Sequence, residues 1–130
     1  MIALDTNVVV RFVVNDDHEQ AQRARRLVAA APVLLTTTVV LETEWVLRTV
    51  YGIDRSEVHK SLIAFCGLAN VTLSEPSLVM GGLKLFGLGL DLADALHLVG
   101  SDRAERFASF DRDLRRIAGR LKETIAVVEP

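Results

Sequence analysis

The chain has one cysteine, Cys66, so it forms no intramolecular disulfide. Its setting, Ile63-Ala64-Phe65-Cys66, reads as a small buried hydrophobe in a reducing, intracellular compartment. A basic excess is also missing. With 15 Lys and Arg against 17 Asp and Glu, the net charge is -2, and the pI is near 5.9. That balance excludes a protein that holds nucleic acid by phosphate neutralisation alone, so any chemistry on nucleic acid needs a cation in the site. No uncharged run reaches the ~18 residues that span a bilayer. Asp5 interrupts the apolar start where a signal peptide needs an unbroken stretch, and a cytoplasmic protein is expected. Internal repeats, low-complexity tracts and a Gly-rich dinucleotide fingerprint after the first strand are absent too.

What is present is hydrophobic. Half of the 130 residues are apolar and the mean hydropathy is +0.30, rich for so small a domain. One domain spanning residues 1–130 is expected, with some apolar surface covered by an oligomeric or obligate partner.

Strand and helix signals alternate. Ile2-Ala3-Leu4 reads as a strand ending in Asp5-Thr6-Asn7, followed by an apolar helix through Val14. Asp17 caps a helix from His18 to about Ala30, with Gln20, Arg23 and Arg26 on its wet side. After Pro32, Val33 to Thr37 is a buried strand, and Thr38 caps a helix from about Val39 to Val50 with Gly52 past its end. A helix from Arg55 to Gly67, a strand at Val71-Thr72-Leu73 and a helix opening at Ser74 with Pro76 in its first turn follow. Four glycines between Gly81 and Gly89 predict that this helix is frayed or closely packed at its end. Leu92 to Gly100 is helical, Phe107-Ala108-Ser109 a strand, Asp111 to Ala118 a helix and Thr124 to Val128 a last strand. The alternation predicts an α/β fold in three layers, a central parallel sheet flanked by helices.

Four acids lie beside strand-to-helix junctions or inside apolar helices, where a charge is costly without a partner. Ligands of parallel sheets bind outside the carboxyl ends of the strands. Asp5 follows the first strand and Asp111 the strand at Phe107, while Glu42 and Asp94 are expected within a turn of their helix N-termini. Each has a plainer role available: Asp5 and Asp111 as helix caps, Asp94 as an acid helped by the helix dipole, and Asp113 as a rival to Asp111. Glu44 lies about 200° round the helix from Glu42, so one of the two faces elsewhere. Arg48, four residues after Glu44, is its natural partner and favours Glu42 as the site residue. His97 reads as a partly buried core residue rather than a ligand. Carboxylates gathered within ~4 to 6 Å raise one another's pKa and persist with a cation among them; all-oxygen donors select Mg²⁺ or Mn²⁺. Such a cluster points to phosphodiester hydrolysis.

Four stretches carry a resemblance: Leu4-Asp5-Thr6-Asn7-Val8, Leu41-Glu42-Thr43-Glu44-Trp45-Val46-Leu47-Arg48, Asp91-Leu92-Ala93-Asp94-Ala95-Leu96-His97, and Ser109-Phe110-Asp111-Arg112-Asp113-Leu114. Together and in this order the chain resembles PIN domains, and within them VapC-type toxins. The resemblance implies a metal-dependent endoribonuclease with Asp5, Glu42, Asp94 and Asp111 as catalytic and metal-holding acids. It implies Thr6, Asn7 and Ser109 as site-lining residues, Ser109 standing where threonine is common, and leaves Asp113 open against Asp111. It further implies Mg²⁺ or Mn²⁺, single-strand or structured RNA as substrate, a homodimer, and a cognate antitoxin whose segment lies across the site. The helices at Val39–Val50 and Ser56–Gly67 are candidates for the dimer surface. Arg11, Arg23, Arg25, Arg26, Arg48, Arg112, Arg115 and Arg116 can steer RNA, although most read as solvated helix faces; Arg112, beside Asp111, is the substrate-binding candidate.

Two other classes compete. One is a catalytically silent PIN-like module that only holds RNA or protein. The other is a different α/β phosphotransfer or phosphatase domain with Asp after its first strand. Haloacid-dehalogenase enzymes want a second Asp two residues on, where Asn7 stands, and the acidic pair and late lysine of a receiver domain are not visible.

Overall fold

Three short parallel strands organise the first half of the computed structural model, which describes all 130 residues. The chain divides into two units, Met1–Pro76 and Ser77–Pro130. In the first, β1 (Ile2–Ala3), β2 (Val33–Leu35) and β3 (Val71–Leu73) pair in that order, with Ile2 opposite Val33 and Leu35 opposite Leu73. Parallel neighbours need long crossovers. Helices α1 (Thr6–Val13) and α2 (His18–Ala30) supply the first, and α3 (Thr37–Thr49) and α4 (Arg55–Cys66) the second. The middle strand β2 is the most buried of the three, with Val33 and Leu35 fully covered.

The helix ends follow local chemistry. Asp17 accepts from the Gln20 N–H at 3.0 Å to start α2, and the Asn70 amide donates to the carbonyls of Val28 and Ala29, satisfying orphan acceptors at its other end. Gly52, at φ +63°, takes the left-handed conformation after α3. Helix α3 starts earlier than its threonines suggest. Thr36, not Thr38, is the cap residue, because pairing with β3 ends at Leu35 and the Thr36 carbonyl already accepts from Val40.

Packing in this unit rests on Val9, Ala21, Val40, Leu47, Val58, Leu62 and Phe65, all buried, with Phe12 meeting Phe65 edge to face at 5.0 Å. The Thr43 hydroxyl is buried without a hydrogen-bond partner. An orphaned buried hydroxyl costs on the order of 1 kcal/mol, so Thr43→Val is expected to stabilise the protein by about that amount. A denaturant midpoint that rises with unchanged slope is the reading that checks it. Burial pushes the Cys66 thiol up to about 11. Its thiolate is therefore scarce at pH 8, and even with the higher nucleophilicity of a more basic sulfur, alkylation of the native protein should run at least about tenfold slower than that of a free cysteine. Equal alkylation rates in native and urea-unfolded protein would contradict this.

The second unit holds α5 (Pro76–Gly87), α6 (Leu92–Val99), α7 (Arg112–Arg120) and a parallel pair, β4 (Arg106–Ala108) with β5 (Ala126–Val128). Proline opens α5, where a missing N–H costs nothing. The glycine-rich segment stays helical to Gly87: a Cβ on Gly82 would stand 2.5 Å from the Leu96 side chain, so α5 and α6 approach closely there. Leu85, Leu90, Ala95, Leu98, Leu114 and Ala118 form the buried cluster, with Phe107, Ile117 and Val127 packed against it. The fold is α/β, with parallel strands flanked by helices, as its alternating pattern predicts. No helix is long and apolar enough to cross a membrane.

Candidate functional site

The first unit places two of the four acids together. Asp5 follows β1 and caps α1, its carboxylate accepting from the Thr6 N–H at 2.8 Å; the plainer capping role is therefore filled, and the exposed side chain remains open to solvent. Thr6, the first residue of α1, is buried, and its hydroxyl donates to Glu42 Oε1 at 2.5 Å. Glu42 is exposed on α3 and stands in the second turn of that helix, deeper than the first-turn position expected, because α3 begins at Thr37. Asp5, Thr6, Asn7 and Glu42 line one open cavity of about 400 Å³ with Arg11 and Tyr51.

Glu44 behaves differently. Only 2% exposed, it accepts from Arg48 Nε at 2.8 Å, one helical turn on, so the expected Glu44–Arg48 pair forms and it is buried on the glutamate side. The opposite faces of α3 thus carry one structural carboxylate and one open to the cavity.

The second unit brings together Asp94 and Asp111. Asp91 caps α6 by accepting from the Asp94 N–H at 3.3 Å, which leaves Asp94 in the first turn, half-buried. Burial raises the Asp94 pKa above the ordinary carboxylate value, the negative charges of Asp91 and Asp111 raise it further, and His97 opposes them. Asp111 caps α7, accepting from the Leu114 N–H at 3.0 Å, while its own N–H donates to Ser109 Oγ at 3.0 Å. Ser109 therefore orients the loop that carries the acid. Asp113 turns away: its side chain is 83% exposed and pairs with Arg116 at 3.4 Å. Arg112 is exposed beside Asp111. His97, expected to be partly buried, is exposed, and its ring stacks on Phe107 at 6.4 Å between centroids.

In neither unit do three or more His, Cys, Asp or Glu side chains stand close enough to hold a metal ion. Each unit offers a pair of oxygen donors on helix starts or the facing helix, Asp5 with Glu42 and Asp94 with Asp111, and hydroxyls at Thr6 and Ser109 fix their surroundings. Two residues around the first pair escaped the sequence reading. Tyr51 lines the cavity, its hydroxyl accepting from Arg11 at 2.8 Å and donating to Asp16 at 3.1 Å, and Asp16 also pairs with Arg11 at 3.0 Å. The one available signal was that the sole tyrosine of the chain stands just after α3.

A family model described as PIN domain matches residues 2–120. No curated protein matches the chain.

Proposed function

The chain belongs to the PIN-domain family, whose members are generally nucleases, and from that premise we propose that it is a metal-dependent endoribonuclease, the VapC-type toxin of a toxin–antitoxin pair. The observation that carries the reading is the PIN-domain match over residues 2–120, and it is supported by Asp94, half-buried in the first turn of α6, whose carboxyl is raised by burial and by the Asp91 and Asp111 charges. A protein gains no stability from holding like charges there, and a cation relieves the repulsion.

The donors fit a hard divalent cation. All four acids, Asp5, Glu42, Asp94 and Asp111, offer oxygen only, the donor type that favours Mg²⁺ or Mn²⁺ over Zn²⁺. When bound, the ion supplies a Lewis acid for the phosphoryl oxygens and activates water for attack. The residues of the chain do the positioning. Thr6 holds the Glu42 carboxylate by its hydroxyl, Ser109 accepts the Asp111 N–H, and the Asp5 and Asp111 side chains are fixed by the caps they make. The exposure of Arg112 next to Asp111 supports its role as the guanidinium that would meet substrate phosphate.

In the same reading residues 1–130 act as one PIN domain in the cytoplasm. The chain forms a homodimer and meets a small cognate antitoxin that inhibits it. Trp45, 53% exposed, and Val50, 65% exposed, on and just after α3, support a dimer surface on that helix.

The test incubates purified, partner-free protein with total cellular RNA and Mg²⁺ or Mn²⁺, beside an EDTA control and Asp5→Asn. Discrete fragments that vanish in both controls are expected. The lack of a three-acid group within either unit favours the second reading, a silent module that binds RNA or protein. Intact RNA from folded protein that binds metal would select it.

A further inference from the structure

The acid cavity of the first unit does not end at the acids. A second cavity, of about 420 Å³, lies over α1 and α2 and is bounded by Asn7, Arg11, Gln20 and Arg23. Asn7 and Arg11 line both cavities. The two therefore adjoin along one face of α1, with Asp5 and Glu42 toward one end and Arg23 toward the other.

The cations of this face are unlike. Arg11 is tied: its guanidinium donates to Gln20 at 2.8 Å, to Asp16 at 3.0 Å and to Tyr51 at 2.8 Å, so its charge is matched inside the protein. Arg25 is also engaged, donating to the Phe12 carbonyl and lying over the Phe12 ring. Arg23 is exposed in the second cavity and has neither an ion pair nor a hydrogen bond. A guanidinium without a carboxylate partner meets a phosphate at full charge and with a fork that matches two of its oxygens. Tyr51 is fixed by its two hydrogen bonds, and its half-buried ring lines the acid cavity, a surface on which an unpaired base stacks.

We propose that this face of α1 is the track of a single RNA strand, with a base against Tyr51 in the acid cavity and the phosphate of a flanking nucleotide on Arg23. The proposal rests on the nuclease reading for its choice of ligand, and it assigns Arg23 and Tyr51 to substrate positioning rather than chemistry. An acidic peptide is the competing occupant, but a peptide gives the Tyr51 ring no base to stack.

The test is binding in EDTA, where cleavage plays no part. Full-length protein is titrated against a fluorescein-labelled, mixed-sequence single-stranded oligoribonucleotide at several salt concentrations, with polyglutamate as a second probe. Arg23→Ala should weaken RNA binding roughly 3- to 10-fold and reduce the slope of log affinity against log salt by about 0.7. Tyr51→Leu should weaken binding with the slope unchanged, and Tyr51→Phe, which keeps the ring, should retain it. Arg26→Ala removes a charge from the same helix outside both cavities; an equal loss there means diffuse attraction and overturns the track. So do an unchanged Arg23→Ala, a loss confined to polyglutamate, or no RNA binding by the unaltered protein. Failure of cleavage with these binding results intact would count against the nuclease reading alone.

Discussion

Asp94→Asn is expected to cut RNA at least ~10³-fold more slowly than the unaltered protein and, in metal-free buffer at pH 7, to unfold at a higher temperature. The two effects have one cause. The fold holds Asp94 half-buried in the first turn of α6, near the charges of Asp91 and Asp111, and its pKa is raised accordingly. For a carboxyl raised in the folded state, the proton binds more tightly to the native than to the unfolded chain, so stability falls as pH rises through the raised value. The penalty is absent below the ordinary value of 3.8 and complete above the raised one. Asparagine keeps the shape and removes the charge. The gap in midpoint between variant and parent should therefore close as the buffer is made acid. Added Mg²⁺ or Mn²⁺ should reverse the order near neutrality, because a ligand that binds the native state stabilises the parent in proportion to its affinity and the variant less. Under the proposed function, loss of one oxygen donor to a cation that would lower the barrier by roughly several kcal/mol is the expected origin of the rate effect. Cleavage that survives in Asp94→Asn would remove this residue from the site, whatever its effect on stability.

Much of this arrangement was legible because it is local. An apolar triplet followed by Asp5, the Asp17 cap, Gly52 past the end of α3 and the Glu44–Arg48 spacing each depend on residues within a turn of one another, and each appears where local chemistry puts it. The misplaced boundaries have tertiary causes. Thr36, Thr37 and Thr38 are all able to cap, and only the register of Leu35 against Leu73 decides where the strand stops. The glycines between Gly81 and Gly89 left fraying and close packing both open, and a tertiary contact decides for the second: Gly82 is where Leu96 comes closest, and the helix runs to Gly87. The surroundings of the acids were the least legible. Thr6 and Glu42 are 36 positions apart, and Arg11 and Tyr51 are 40 apart. No periodicity connects such pairs. The acids, with Thr6, Asn7 and Ser109 beside them, were named from junction positions and from the resemblance to PIN domains, whereas the partners of the two hydroxyls and the place of Tyr51 required the fold.

The two glutamates of α3 should separate completely when each is replaced. Glu42→Gln is expected to reduce cleavage by roughly 10²-fold or more, through loss of a charged donor, with stability changed by less than about 0.5 kcal/mol, since the side chain is exposed and the amide oxygen still accepts from Thr6. Glu44→Ala should do the reverse, leaving cleavage intact while destabilising the protein by roughly 2 kcal/mol. Its carboxylate is 2% exposed, so truncation opens a hole in the buried face of α3 and deprives Arg48 of a close partner. The cost stays below that of a fully buried pair because the Arg48 side chain is 38% exposed and water can take over part of the guanidinium. Glu44→Leu sharpens the argument. Leucine fills a similar volume without a charge to desolvate, and replacement of a buried ionic group by a well-packed apolar one is often neutral or stabilising. The leucine protein should therefore match or exceed the parent in denaturant midpoint, in contrast to the alanine protein, and both should still cut RNA. If cleavage instead falls in both Glu44 variants and survives in Glu42→Gln, the site acid of α3 is Glu44, and Arg48 is its partner in the chemistry rather than in the fold.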